Sequence, residues 1–79
     1  MYPKLIKAIP IKPLLLVLEY ENGERRIIDM KQFCISDYFS QLEDWNYFSR
    51  VKVQGEVVTW PNEQDIAPET LYVESRSFN

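Results

Sequence analysis

If this chain carries chemistry, its carboxylates must do it. The 79 residues contain no histidine, which removes the usual base of a Ser-His-Asp or Cys-His centre and every histidine-containing metal site. The single cysteine, Cys34, cannot build a zinc cluster, a CxxC redox pair or an intramolecular disulfide. It stands between Phe33 and Ile35 and reads as a small buried hydrophobe. Gly23 and Gly55, the only glycines, suit turns better than a phosphate-cradling loop. What remains is a carboxylate pair, Asp65 with Glu69 or with Asp29. Each aspartate has a plainer use: Asp65 bonding backbone N–H groups in the turn of residues 62–68, Asp29 capping the segment after a strand. No cofactor is implied, and the chain reads as a non-enzyme.

A second group could bind without reacting. Trp60, Asn62, Asp65 and Tyr72 combine aromatic rings with polar groups in one loop-helix region. Trp and Tyr offer large contact area at low entropic cost, so a peptide or ligand site is expected here if one exists. The competing reading is that Trp60 and Tyr72 pin the last helical turn to a sheet.

These residues need a frame, and the composition supplies one. With 46% hydrophobic and 14% aromatic residues, the chain is too apolar for disorder, and its length suits a single domain over residues 1–79. The absence of disulfides in so small a domain points to a reducing cytoplasm. The start, MYPKLIKAIP, lacks the uninterrupted apolar segment of a signal peptide. No apolar run approaches the ~20 residues of a membrane span. Residues 1–31 carry six basic and four acidic groups, residues 32–79 three and eight. An acidic second half disfavours direct nucleic-acid binding. Lys4, Lys7, Lys12, Arg25 and Arg26 read as solubilising charge on edge strands more than as a basic patch.

Hydrophobic period divides the chain. Residues 4–11 alternate loosely among Pro3, Pro10 and Pro13, which suits an edge strand. LLLVLEY and ERRIIDM flank Asn22-Gly23, the strongest hairpin signal present. A two-residue loop would set Glu19 opposite Arg26 and Val17 opposite Ile28; a three-residue bulged loop from Glu21 would shift every pair by one. Residues 14–18 are apolar on both faces, which places this strand centrally with material on each side. Phe39, Leu42, Trp45 and Phe48 then recur every three residues, predicting short helical pieces with Asp44 and Ser36 or Asp37 as N-caps. Residues 51–53 and 57–60 form a second hairpin about Gln54-Gly55, and Pro68 starts a last helical turn. Residues 74–79 show no pattern and read as a frayed tail. The predicted fold is α+β: about five strands in two hairpin-containing groups, in β-β-β-α-β-β-α order, with short helices packed on the sheet. The predicted core is Leu16, Leu18, Ile27, Phe39, Leu42, Phe48, Val51, Val53, Val58, Trp60 and Leu71.

In this order the motifs resemble a small bacterial family, domain of unknown function 2442. The matching pieces are Leu5–Ile11, Tyr20-Glu21-Asn22-Gly23, Arg26-Ile27-Ile28-Asp29, Phe39-Ser40-Gln41-Leu42 and Phe48-Ser49-Arg50-Val51. The cluster Trp60-Pro61-Asn62, Asp65-Ile66 and Pro68-Glu69-Thr70-Leu71-Tyr72 completes them. A serine commonly precedes that proline in the family; here Ala67 forfeits a cap worth roughly 0.5–2 kcal/mol. The resemblance implies a small bacterial α+β protein, sometimes encoded in arrangements that look like toxin–antitoxin pairs, and brings no catalytic residues. Two functions arise as expectations. The first is a non-catalytic protein-interaction module, antitoxin-like or regulatory, binding another small protein or itself. The second is a ligand-responsive or nucleic-acid-associated regulator whose DNA-binding part lies on another chain.

Overall fold

Proline and glycine punctuate the first sheet. The computed structural model describes residues 2–78. Strand β1 (Leu5–Ile11) runs antiparallel to β2 (Leu15–Tyr20), which pairs with β3 (Arg25–Asp29). The β2–β3 loop holds three residues: Gly23 N–H donates to Tyr20 O at 3.0 Å, and Gly23 alone among them takes a positive φ, 87°. A type I′ turn needs positive φ at both central residues, so Asn22-Gly23 does not form one; this is the three-residue loop with glycine at its left-handed position. The two-residue register is thereby corrected. Leu18 faces Arg26, Val17 faces Ile27 and Glu19 faces Arg25.

That shift has a large consequence. Cross-strand partners share a face, so Arg26 turns toward the core beside Leu18, and Ile28, not Ile27, is fully buried.

After Met30 the chain winds through short pieces, as its three-residue period predicts. A 3₁₀ turn (Met30–Phe33) is capped by Asp29, whose carboxylate accepts from Lys31 N at 2.9 Å. Helix α1 (Asp37–Ser40) is capped by Ser36, another 3₁₀ turn spans Gln41–Glu43, and α2 (Trp45–Phe48) is capped by Asp44. A second hairpin comes next, β4 (Lys52–Gln54) and β5 (Val57–Thr59), with Gln54 paired to Val57. Its loop is therefore Gly55-Glu56, one residue beyond the expected Gln54-Gly55. Gly55 takes φ 65°, as the first position of a type II′ turn requires.

Seven strands are present among the described residues, not five. Strand β6 (Asp65–Ile66) adds to β5, and β7 (Arg76–Ser77) adds to β3 beyond helix α3 (Pro68–Glu74). Residues 74–78 are thus not a frayed tail: Glu74 ends α3, Ser75 is buried and Phe78 N–H donates to Arg25 O at 3.2 Å. Asn79 lies outside the described residues. The first sheet runs β1-β2-β3-β7 and the second β4-β5-β6.

One core joins them. Leu16, Leu18 and Ile28 come from the first sheet, Val58 and Ile66 from the second, and Met30, Leu42, Phe48 and Leu71 from the helical pieces. Leu5, Leu14 and Tyr20 also enter it, whereas Phe39, Val51 and Val53 only pack against its margin. Each such fully buried side chain contributes about 1.5–3 kcal/mol.

Candidate interaction surface

Pro61 cannot continue a ladder, so the chain reverses after β5. Trp60 N–H donates to Gln64 O at 3.0 Å and Glu63 N–H to Trp60 O at 2.9 Å, while Glu63 adopts φ 70°. Trp60 does not face outward. It is 3% exposed, stacks on Phe48 at 5.9 Å between centroids, and donates its indole Nε1–H to Phe48 O at 2.9 Å. Its apolar body and its polar handle are both used internally.

Asn62 and Asp65 lie at the surface of the same turn. The Asn62 amide Nδ2 donates to Gln41 Oε1 at 2.8 Å, and its backbone N–H donates to the Tyr47 hydroxyl at 2.8 Å. The turn is fastened not by Asp65, as its sequence suggests, but by Gln64. Gln64 is fully buried, with Nε2 donating to Tyr38 O at 2.8 Å and to Gln41 Oε1 at 3.0 Å, and Oε1 accepting from the Tyr47 hydroxyl. A buried amide with every group paired locks the loop to α1 and α2. Gln64 has no signal in the sequence, where it sits among polar turn residues.

Tyr72 belongs to a different group. Helix α3 begins at Pro68 with no side-chain cap at Ala67, as the residue there dictates. One turn on, the Tyr72 ring lies 4.1 Å from the Arg26 guanidinium carbon, and its hydroxyl donates to Glu24 at 2.8 Å. Arg26 donates to Glu24 at 2.7 Å, to Ser75 Oγ at 2.7 Å, and to the carbonyls of Ser75 and Tyr72 at 2.8 and 3.1 Å. The Arg26 and Tyr72 hydrogen bonds hold the Glu24 carboxyl below its ordinary value, and the bond to Glu24 pushes the Tyr72 phenol up. An inward-facing arginine opposite Leu18 would have disclosed this cluster once the register was known.

Around Tyr72 the rings of Tyr20 and Tyr2 close in, at 5.5 and 4.9 Å. Tyr20 is 4% exposed, its hydroxyl has no hydrogen-bond partner among the described residues, and burial pushes its phenol up to about 12. Tyr2 remains 39% exposed and, with Glu56, Pro68 and Glu69, lines an open cleft at the start of α3. The carboxylate sharing this cleft with Glu69 is therefore Glu56. Asp29 is occupied as a cap, and burial raises the half-buried Cys34 thiol. Among the described residues, no three of His, Cys, Asp and Glu are grouped to hold a metal ion. No helix among them is long and apolar enough to cross a membrane.

The four sequence candidates thus divide. Trp60 is core, Asn62 and Asp65 are the exposed rim of the β5–β6 turn, and Tyr72 is half-buried under Tyr2 beside the cleft. A family model described as a protein of unknown function, DUF2442, matches residues 5–77. No curated protein matches the chain, and no solved structure matches it.

Proposed function

We propose that this chain, which belongs to the DUF2442 family of proteins of unknown function, acts by binding another small protein and not by catalysis. The observation that carries this reading is the cleft beside α3. There the exposed Tyr2, packed on the half-buried Tyr72, lines the cleft with Pro68 and two carboxylates, Glu56 and Glu69. Tyrosine anchors held by their neighbours lose little entropy when covered. Tyr72 is held in this way by Glu24 and Arg26. Acidic side chains around such an anchor favour a partner that brings an apolar residue flanked by lysine or arginine.

Asn62 and Asp65 form a separate exposed polar patch on the β5–β6 turn, at the other end of β5 from Glu56.

Affinity purification from the native cells with the wild-type chain, Tyr2→Ala and Glu56→Lys tests the reading. Both substitutions are at exposed positions and leave the core intact. A small protein retained by wild type and lost with both variants is the expected result. Turnover of any substrate by the purified chain that Glu69→Gln abolishes without unfolding it would overturn the reading.

A further inference from the structure

The β2–β3 loop sets an asparagine before the residue type that leaves its side chain most open to attack. Asn22 is exposed and is followed by Gly23, which the loop requires at its left-handed position, φ 87°. Glycine has no side chain to screen its backbone nitrogen, and a Cβ built at Gly23 would meet nothing within 4 Å. The turn that sets the register of the first sheet thus presents to water both atoms of a cyclisation, the Gly23 nitrogen and Cγ of Asn22.

We propose that Asn22 is a site of spontaneous covalent modification, gated by the hydrogen bonds of the loop. The co-reactants are hydroxide and water. Hydroxide takes the Gly23 N–H proton. The nitrogen then attacks Cγ of Asn22, an N–C bond forms, and the bond from Cγ to Nδ2 breaks. Nδ2 leaves as ammonia, taking a proton from water, and a cyclic succinimide remains. Water then opens the ring at either carbonyl, with no oxidation or reduction. Opening at Cγ leaves an ordinary aspartyl link. Opening at the backbone carbonyl carbon leaves isoaspartate, with the main chain rerouted through the side chain.

Two bonds oppose the first step. Gly23 N–H donates to Tyr20 O at 3.0 Å, so the proton that hydroxide must remove is held across the loop. Glu24 N–H donates to Asn22 Oδ1 at 3.0 Å, so the side-chain amide is not free to turn. Behind them, Tyr20 N–H donates to Glu24 O at 3.0 Å, and the Arg26–Glu24 ion pair closes at 2.7 Å. Cyclisation therefore proceeds from the open loop. Its rate is that of the unrestrained chain multiplied by the fraction of time the loop is open.

The two products differ in what they do to the fold. Isoaspartate adds one methylene to the main chain of a loop that sets Val17 opposite Ile27 and Leu18 opposite Arg26. The longer path displaces Gly23 N–H from Tyr20 O and loosens the pairing that aims Arg26 at Ser75 Oγ and Tyr72 O. An aspartate keeps the acceptor for Glu24 N–H and only adds charge between Glu21 and Glu24.

This inference is independent of the binding reading. Wild type is held in mildly alkaline buffer, folded and in guanidinium chloride, and sampled over time by peptide mass spectrometry. The peptide holding Asn22 is expected to gain the mass of OH exchanged for NH2 at least tenfold faster in the unfolded chain. Asn46 and Asn62, followed by Tyr47 and Glu63, are internal controls expected to lag in that chain. Isoaspartyl protein, separated by chromatography and refolded, is expected to melt below wild type taken briefly through the same denaturant, and Asn22→Asp close to it. Equal rates in the folded and unfolded chain would overturn the gating. An unfolded chain in which Asn22 converts no faster than Asn46 and Asn62 would overturn the site. Isoaspartyl protein that melts with wild type would overturn the effect on the register.

Discussion

Replacing Gln64 with alanine removes the hub of the β5–β6 turn, and its cost can be worked from the contacts. Three hydrogen bonds are lost, to Tyr38 O, Gln41 and the Tyr47 hydroxyl. At about 0.5–1.5 kcal/mol each they total roughly 1.5–4.5 kcal/mol. The one truncated methylene, fully buried, adds about 0.8 kcal/mol. Tyr38 and Gln41 are themselves exposed, so water recovers part of the bonding and about 3 kcal/mol is expected. A 79-residue domain has only about 4–12 kcal/mol in total. At 4–8 °C per kcal/mol, the melting midpoint should fall by about 12–24 °C. Differential scanning calorimetry measures this, with Gln64→Glu as companion. A carboxyl there needs its proton to donate to Tyr38 O, so its folded-state pKa is raised. Stability of that variant should be highest in acid and fall as pH rises through the folded value. A midpoint for Gln64→Ala within about 4 °C of wild type would refute the reasoning that this network locks the loop.

Other predictions concern the Tyr72 cluster. Tyr20→Phe removes a buried hydroxyl that has no partner among the described residues, so it should leave stability unchanged or raise it by up to about 2 kcal/mol. Absorbance titration of wild type should show one phenol that ionises only near 12, and stability should decline between 10 and that value as the folded state holds its proton longer. Arg26→Ala breaks bonds to two carbonyls and Ser75 Oγ and should cost about 2–4 kcal/mol in urea unfolding. Amide exchange should accelerate first over residues 72–78. The Glu24 carboxyl is lowered in the fold, so its contribution is present above the ordinary value of 4.5 and lost as pH falls through the folded one. Glu24→Gln should flatten that part of the acid limb, seen by circular dichroism at a series of pH values.

Much of the frame was legible because it rests on local rules. Asp29, Ser36, Asp44 and Pro68 each sit where their side chains satisfy a helix start, and the change of period after Met30 marks where strands give way to short helices. Leu16, Leu18, Leu42, Phe48, Val58, Trp60 and Leu71 are buried as expected. What failed was non-local or finely balanced. Asn-Gly suits both loop lengths, and a single residue of slip exchanged Ile27 for Ile28 in the core and drew Arg26 inward. Two-residue strands such as β6 and β7 have no period of their own; they exist because β5 and β3 offer free edges. Gln64 shows the same limit at the candidate surface. Burial is decided by what folds over a residue, so a polar side chain became the hub.

The claim that the chain acts by binding through the cleft beside α3 is tested most directly by amide spectra of isotope-labelled protein. These are recorded at one concentration in buffer and in clarified lysate of its own cells. Signals of Tyr2, Glu56, Glu69 and Tyr72 are predicted to broaden or shift selectively in lysate, with those of Tyr2→Ala protein unaffected. Spectra of wild type that change nowhere, or uniformly along the chain, would contradict it.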